Sequence, residues 1–152
     1  MPWINETVFM GTGILVHYAR QSQLYREIEE KEKLSQSDCL PMISIVAYGE
    51  ILSFGMQNSW GSKKLQSISN LLSKLIIIDI NSGDLDLLKA YAEIDAFSKN
   101  KLPDHPLGTS AITMGKNDLW IAATAKVANA TLVTVDSDFA HLHGKFIQVK
   151  KY

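Results

Sequence analysis

The sequence predicts an α/β fold in which a mostly parallel sheet carries helices on both faces. Short apolar or β-branched runs alternate with stretches of helical spacing along the whole chain. Strands that alternate with helices favour a parallel sheet with right-handed crossovers. The chain has 152 residues, of which 46% are hydrophobic, and no repeat or low-complexity tract interrupts the alternation. We therefore expect a single domain over residues 1–152.

The first half of the chain predicts two strands and four helices. Two apolar runs predict the strands, Thr7–Met10 and Pro41–Val46. Apolar residues at helical spacing follow each run, first over Ile14–Arg20 and Leu24–Leu34 and then over Val46–Asn58 and Lys63–Lys74. We expect the last two helices to form a hairpin within one crossover.

The second half predicts three strands, two helices and a long loop. The strands are the apolar runs Leu75–Ile80, Thr131–Val135 and Lys145–Val149. The helices Asp84–Asn100 and Asp118–Ala128 both open with an acid, which suits a helix N-terminus. Between them, Lys101–Lys116 lacks periodicity and contains prolines and glycines, so we expect a loop of the length that often carries function.

Composition excludes several classes of protein. The 15 basic and 16 acidic residues give a net charge of −1, which argues against a general polyanion binder but allows a local basic surface. The only cysteine, Cys39, fits a reducing compartment and is expected to be a small buried side chain. No basic segment followed by an apolar one opens the chain, and no apolar run approaches the roughly 20 residues of a membrane span. We expect a cytoplasmic protein without a membrane segment.

Acidic residues fall where a parallel sheet presents its ligand site, beyond the carboxyl ends of the strands. Asp136 and Asp138 directly follow the predicted strand Thr131–Val135. Asp118 opens a helix whose next residues at i+3 and i+4 are apolar, so its side chain starts on the inward face. Glu50 lies on an apolar helical stripe, where an unpaired charge is costly and needs a compensating cation.

Each acid also has a purely structural interpretation. The Asn117-Asp118 pair would cap a helix, Asp136 would close a turn, and Glu50 would pair with a Lys or Arg. These structural roles would not account for acids that lie close together. Carboxylates about 4 Å apart repel by about 4 kcal/mol per pair at an effective dielectric constant of 20, so three together would require a divalent cation. Oxygen ligands favour Mg²⁺ or Mn²⁺ over zinc.

In this order and context, the acids resemble those of the PIN domains, and within them the VapC-like ribonuclease toxins of bacterial toxin-antitoxin pairs. Four stretches carry the resemblance over nearly the whole chain. Residues 117–125 and 130–139 are similar to the C-terminal signature of the family, and residues 43–52 to the segment with its glutamate. Residues 8–16 are similar to its first strand and turn. The resemblance implies a PIN-like three-layer sandwich.

The resemblance also implies an activity and a site. It implies an endoribonuclease that hydrolyses RNA phosphodiester bonds with Mg²⁺ or Mn²⁺. Glu50, Asp118 and Asp136 would be metal ligands, and Asp138 a supporting acid or a fourth carboxylate. Carboxylate-held ions can activate water and stabilise the transition state of phosphodiester hydrolysis. Supporting roles would fall to polar neighbours of the acids, namely Thr12, Asn117 and Thr134.

One position departs from the family pattern, because Gly11 stands where the family has a metal-binding aspartate. The nearest upstream acid, Glu6, is about 16 Å away along an extended strand at about 3.3 Å per residue, so it cannot substitute. We therefore predict little or no nuclease activity from this sequence. A glycine codon is one base from an aspartate codon, so either an inactivating substitution or a naturally degenerate family member would account for Gly11.

Two other functions compete with the nuclease. A phospho-acceptor receiver domain would use Asp79 as its acceptor, but it needs paired acids after the first strand, and none lies within residues 8–13. A PIN-like module that binds a protein or RNA partner without catalysis is the stronger alternative. Metal binding would discriminate, since an impaired nuclease site still holds Mg²⁺ or Mn²⁺ weakly.

Substrate and partner contacts complete the expectations. RNA, such as a tRNA or rRNA, would meet Lys99, Lys101 and Lys116 beside the site, unless these residues belong to a solvated loop. The resemblance implies a homodimer that a cognate antitoxin inhibits. An apolar surface for self-association or an antitoxin helix, or ordinary core packing, would use Phe54, Met56, Trp60 and Leu65. The histidines lack partners at metal-ligand spacing, so we expect local packing or exposure of His17, His141 and His143.

Overall fold

Five parallel strands form one sheet in the order β3-β2-β1-β4-β5. The computed structural model describes residues 7–36 and 40–152, so the predictions for Glu6 and Cys39 lie outside the described residues. The strands are β1 (Thr7–Met10), β2 (Leu40–Ser44), β3 (Ile76–Ile78), β4 (Thr131–Thr134) and β5 (Gln148–Lys151). All pairings are parallel, which confirms the predicted fold class.

Six α-helices and one 3-10 helix connect the strands within the described residues. The α-helices are α1 (Thr12–Arg20), α2 (Gln23–Glu32), α3 (Ile45–Gln57), α4 (Ser62–Leu72), α5 (Leu85–Ser98) and α6 (Lys116–Val127). The 3-10 helix, Ser137–Leu142, lies between β4 and β5. Each element matches a predicted one to within a few residues, apart from this 3-10 helix. No described helix is long and apolar enough to cross a membrane.

The largest error of boundary concerns β5, which begins at Gln148 rather than at Lys145. The preceding residues form a turn instead of a strand. The Gly144 N–H donates to the Ile147 carbonyl over 2.9 Å, and the Phe146 N–H donates to the Leu142 carbonyl over 3.1 Å. Gly144 has a φ of 77°, a conformation that glycine adopts without a steric penalty. The apolar pair Phe146 and Ile147 therefore packs from a turn.

Helices cover both faces of the sheet. The crossovers from β1 to β2 and from β2 to β3 run in one direction and contain α1–α4, whereas the crossover from β3 back to β4 runs in the other and contains α5 and α6. If all are right-handed, α1–α4 cover one face and α5 and α6 the other. The packing agrees, because α1 contacts α2, α3 and α4 while α5 packs along α6. The central strands are buried between these layers, with Phe9 and Leu132 completely inaccessible to solvent. The predicted helical pair α3 and α4 is present, and both helices pack against α1.

The carboxyl ends of β1 and β4 lie side by side, which positions the site. Met10 is in register with Val133, and the Gly11 N–H donates to the Val133 carbonyl over 2.9 Å. The chain turns from β1 directly into α1, and from β4 into the 3-10 helix. Residues that follow these two strands therefore face each other across the end of the sheet.

Candidate active site

A cavity of about 140 Å³ opens at the carboxyl ends of β1 and β4. It collects side chains from the ends of two strands and from the helices α3 and α6, which contact each other. Most of the predicted site residues line it. The full lining comprises Gly11, Thr12, Gly13, Glu50, Asp118, Ile121, Thr134, Asp136 and Phe139.

Asp136 and Asp138 lie in a hydrogen-bonded turn that follows β4. The Asp136 N–H donates to Thr134 Oγ1 over 3.0 Å, and Asp136 Oδ1 accepts from the Asp138 N–H over 2.9 Å. Asp136 is thereby the N-cap of the 3-10 helix. The turn role that the sequence suggested for Asp136 is real. The same turn places Asp136 in the cavity lining, whereas Asp138 is exposed and lies beside the lining rather than within it.

Asp118 is the third residue of α6, and the inward placement expected from its spacing is confirmed. Ile121 and Ala122, which follow at i+3 and i+4, are buried. The N-cap of α6 is Gly115, with no side-chain cap, so the capping interpretation of the Asn117-Asp118 pair is wrong. Asn117 is exposed at the start of the helix. Capping therefore does not account for the acid at position 118.

The three aspartates form a close cluster. One carboxylate oxygen from each of Asp118, Asp136 and Asp138 lies within 4.8 Å of the others. No Lys or Arg forms an ion pair with them in residues 7–36 and 40–152. Burial, and then the negative charges of its neighbours, chiefly Asp136, raise the pKa of Asp118 to about 6. An all-oxygen donor set with uncompensated negative charge is what Mg²⁺ or Mn²⁺ requires.

Glu50 faces the same cavity from α3 but is not a member of the close cluster. Its Oε1 accepts a hydrogen bond of 2.8 Å from Thr12 Oγ1. The Lys or Arg partner that would explain its place on the apolar stripe is absent from the described residues. Its charge contributes to the raised pKa of Asp118, so the two carboxylates act on each other across the cavity.

The backbone does not require glycine at position 11. Gly11 has φ −72° and ψ 160°, an extended conformation that any residue adopts. A Cβ placed there would lie 3.3 Å from Thr134 Oγ1 and 3.5 Å from the Val133 carbonyl oxygen. A small shift of the Thr134 hydroxyl would accommodate it, and the side chain would start on the cavity wall. An aspartate therefore fits at this position by its backbone and its surroundings.

The predicted substrate lysines lie outside the lining of the cavity. Lys99 forms an i,i+4 ion pair of 3.0 Å with Asp95. Lys101 is exposed in the long loop, which spans residues 99–115 where residues 101–116 were predicted. Lys116 is exposed as the first residue of α6, two positions before Asp118. Of the three, Lys116 is nearest along the chain to an acid of the cluster.

The histidines are explained by local packing, as expected. His141 Nε2 and Ser98 Oγ are 2.7 Å apart, and the ring stacks on Phe97. Burial lowers the pKa of His141, against an opposing effect of Asp138. His143 Nδ1 accepts from the Val149 N–H over 2.9 Å. His17 is likewise within hydrogen-bonding distance of a nearby serine.

A second concave surface adjoins the cavity and was missed by the sequence reasoning. This α3 groove has a volume of about 610 Å³ and shares Thr12 and Glu50 with the cavity. Ser53 and Gln57 line it, at i+3 and i+7 from Glu50 on one face of α3. The spacing of Glu50, Ser53 and Gln57 was visible in the sequence. That this face of α3 forms a groove depends on α6, whose Asn117 completes the lining.

The family model for the PIN domain matches residues 8–145 of this chain. The chain belongs to the PIN domain family. The resemblance to this family inferred from the acids is thereby confirmed. A receiver domain is not supported, since Asp79 is exposed beyond the edge strand β3, two strands from β1. A search of the curated proteins finds no significant match.

Solved structures share the fold of this PIN domain. A chain of VapBC2 from Rickettsia felis, solved bound to a DNA fragment from their promoter, has a TM-score of 0.72 at 22% identity, covering 96% of this chain and 98% of that one. DNA-bound VapBC from Salmonella typhimurium gives 0.69 at 17% identity, covering 96% and 98%. VapBC-1 from nontypeable Haemophilus influenzae gives 0.66 at 18% identity, covering 95% and 97%. The three-layer architecture is therefore that of VapC-type PIN domains.

Proposed function

We propose that this PIN domain is a divalent-metal-dependent endoribonuclease, the toxin of a toxin-antitoxin pair, with activity reduced by Gly11. The observation that carries the proposal is the cluster of Asp118, Asp136 and Asp138, whose oxygens lie within 4.8 Å of one another. The negative charges of Asp136 and Asp138 help to raise the pKa of Asp118 to about 6, and a bound cation would remove that repulsion. Nuclease activity among PIN domains supports the same conclusion.

The residues of the cavity fit a Mg²⁺ or Mn²⁺ ion. Asp118, Asp136 and Asp138 would hold it, and Glu50 would face it as a ligand or as a further acid. In this assignment Asp138 is a metal ligand like Asp118 and Asp136, whereas the resemblance implied a supporting acid or a fourth carboxylate. When bound, the ion supplies an activated water and neutralises charge on the phosphodiester.

The other residues of the cavity orient the acids. The Thr12 hydroxyl donates to Glu50 Oε1, so Oε2 of Glu50 is not used by this hydrogen bond. Thr134 holds the Asp136 backbone, and Asp136 in turn holds the Asp138 backbone, so the two carboxylates keep their positions. The Asp118 carboxyl, with a pKa of about 6, is mostly ionised at pH 7 and releases its remaining protons when a cation approaches.

Gly11 is proposed to weaken this site. Loss of a partner even outside the ligand shell typically reduces metal affinity or activity by 10–100-fold, and loss of a ligand should cost at least as much. The backbone at Gly11 accepts a side chain, and the position lines the cavity. Restoring the carboxylate with Gly11→Asp is therefore expected to raise cleavage by at least about tenfold.

The test is cleavage of structured RNAs, including tRNAs and rRNA fragments, by the Gly11 protein and by the Gly11→Asp variant. Each reaction is run with Mg²⁺, with Mn²⁺ and with EDTA. Gly61→Asp is a matched control, because Gly61 is also a helix N-cap with similar backbone angles and has open space around its Cβ. Cleavage by Gly11→Asp alone, abolished by EDTA, would support the proposal.

Other results would contradict it in part or entirely. Equal cleavage by the Gly11 protein and Gly11→Asp would keep the nuclease but reject the impairment. Inert proteins that also fail to bind Mn²⁺ in calorimetry would reject the nuclease and favour the second candidate, a catalytically inactive PIN module that binds a protein or RNA. Gly11 itself favours that candidate, since it removes a carboxylate from the cavity.

Partners are proposed on the same basis. The similar chains come from VapBC and other toxin-antitoxin complexes, which supports a cognate antitoxin, a homodimer and a cytoplasmic location. The exposed apolar residues on α3 and α4, chiefly Met56 at 79% exposure, offer a surface for such contacts, whereas Trp60 packs against Phe54.

Expression of Gly11→Asp is expected to arrest growth, and co-expression of the antitoxin to restore it. Equal growth of the Gly11 and Gly11→Asp strains would count against toxicity.

A further inference from the structure

The α3 groove is continuous with the acid cavity, because both are lined by Thr12 and Glu50. Its remaining walls include Ile45, Phe54 and Gln57 from α3 and Asn117 from α6. We propose that this groove is a nucleobase subsite, which holds the base of a nucleotide next to the phosphate bound at the acids. The proposal rests on the proposed nuclease function, since that function places RNA at the cavity.

The chemistry of the walls matches a neutral planar ligand. Apolar surface comes from Ile45, which is 40% exposed, and from the half-buried Phe54. Polar groups come from two hydroxyls, two amides and, where the groove meets the cavity, the Glu50 carboxylate, and no Lys or Arg is among the described residues that line the groove. A phosphate would need cations or backbone N–H groups, whereas a base needs an apolar face and hydrogen-bonding groups at its edge. The groove therefore suits the base better than the phosphate.

The amides are placed to contact the edge of a base. Gln57 Nε2 donates to Ser53 Oγ over 2.8 Å, which orients the amide and leaves its carbonyl oxygen and second N–H for a ligand. Asn117 is exposed, and its side chain has no hydrogen bond within the described residues. An amide presents a donor and an acceptor together, which is the pattern that reads a base edge.

The Phe54 wall is held in place by Trp60, and its ring lies beside a cation that is not in the groove lining. The Phe54 ring meets Trp60 edge to face with centroids 5.5 Å apart. The Arg20 guanidinium lies 5.2 Å from the Phe54 ring centroid. Such a cation beside the groove would attract the phosphate of an adjoining nucleotide.

The volume and the position of the groove support a nucleotide over a protein segment. A volume of about 610 Å³ lies within the roughly 300–1,000 Å³ typical of small-ligand sites. The exposed apolar residues Leu52 and Met56 do not line the groove, so the surface that suits a protein partner is separate from it. A helix from a partner would also need a longer apolar floor than these walls provide.

The experiment measures binding without cleavage. Fluorescence anisotropy in EDTA follows labelled single-stranded RNA hexamers of adenosine, cytidine or uridine. The proteins are the unmodified chain, Gln57→Ala, Ser53→Ala and the control Gln66→Ala. Gln66 is exposed on α4, is hydrogen-bonded to Asn70 at i+4 and lies outside the groove. The three substituted side chains are exposed, so the thermal melts of all four proteins are expected to coincide.

The unmodified chain is expected to prefer one hexamer, and Gln57→Ala to weaken that complex by about tenfold and to erase the preference. Ser53→Ala is expected to have a smaller effect of the same kind, and Gln66→Ala to stay within about twofold. In the Gly11→Asp background, Gln57→Ala is also expected to change which base adjoins the cut.

Three results would overturn the subsite. RNA binding with no base preference, or a preference that Gln57→Ala leaves intact, would reject the subsite while the proposed nuclease stands. Loss of self-association in Gln57→Ala, measured by light scattering, with unchanged RNA binding would make the groove a protein surface. Failure of every form to bind RNA, together with no cleavage by Gly11→Asp, would reject the nuclease function and the subsite together.

Discussion

Two helical carboxylates, Glu50 on α3 and Asp118 on α6, face one cavity under opposite conditions. Glu50 receives a hydrogen bond of 2.8 Å from Thr12. Asp118 receives no hydrogen bond within the described residues and lies among two further aspartates. Burial and these neighbours raise the pKa of Asp118 to about 6. The charge of Glu50 is therefore stabilised by a hydrogen bond within the protein, whereas the charge of Asp118 is destabilised by its surroundings.

The difference in hydrogen bonding between Glu50 and Asp118 distinguishes an acid that the fold holds in place from an acid that is suited to bind a metal ion. A hydrogen bond to a carboxylate favours the charged form and fixes its orientation without any ion. Close carboxylates with no paired cation repel one another, and a proton or a bound metal ion relieves that repulsion. Asp118 is therefore the more informative of the two acids, and the following tests compare it with Glu50.

The largest expected effect is on metal affinity. In the Gly11→Asp background, Asp118→Asn is expected to weaken Mn²⁺ binding by at least about 100-fold and Glu50→Gln by about tenfold, because Asp118 belongs to the close cluster. Calorimetric titration measures both. Asp79→Asn, which changes an exposed acid beyond β3, is the control and should not alter affinity. Equal losses at positions 50 and 118 would remove the distinction between the two acids.

The second prediction concerns stability without metal. Because the pKa of Asp118 is raised in the folded protein, its ionisation opposes folding, and the penalty grows as pH rises from about 4 to above 6. Asp118→Asn is therefore expected to stabilise the metal-free protein at pH 7.5 and hardly at all at pH 4; because solvent screens this partly exposed carboxyl, the gain should be about 1–2 kcal/mol. Urea unfolding in EDTA measures the difference. A gain that is the same at both pH values would point to packing instead of charge.

Glu50→Gln sharpens the second prediction. The amide oxygen still accepts from Thr12, so the substitution is expected to change the free energy of unfolding by less than about 1 kcal/mol. A gain as large as that of Asp118→Asn would show that the Thr12 hydrogen bond does not compensate the charge of Glu50.

The third effect is smaller and concerns the aspartate side of the cavity. Thr134 is 2% exposed, and its Oγ1 accepts from the Asp136 N–H. Thr134→Val removes the acceptor, and we expect a loss of about 1–2 kcal/mol in the free energy of unfolding, together with weaker Mn²⁺ binding. Thr134→Ser should retain most of both. Stability lost without any change in Mn²⁺ affinity would mean that the turn does not position the carboxylates.

The smallest effect is expected on the glutamate side. Thr12→Val removes the hydroxyl that donates to Glu50, which should cost about 0.5–1.5 kcal/mol in the free energy of unfolding and several-fold in Mn²⁺ affinity. Thr12→Ser is expected to restore both, as measured by urea unfolding and calorimetry. A Thr12→Val protein with unaltered metal affinity would place Glu50 outside the ion's influence.

Local patterns in the sequence determined the elements, because strand and helix periodicity is a property of neighbouring residues. They located all five strands, and they placed Glu50 on an apolar stripe and Asp118 on an inward face. The start of β5 could not be predicted in this way. Phe146 and Ile147 continue an apolar pattern, and only the hydrogen bonds of the turn at Gly144 exclude them from the strand.

Tertiary structure alone decided which of these residues meet. Asp138 joins Asp118 because the turn after β4 opposes the start of α6, a distance that no local spacing encodes. The N-cap of α6 is Gly115 and not the predicted Asn117. The face of α3 with Ser53 and Gln57 forms a groove only because residues of other helices, such as Asn117, lie opposite it. Side-chain chemistry and period are written in the chain, whereas the distances between acids arise from how strands and helices pack.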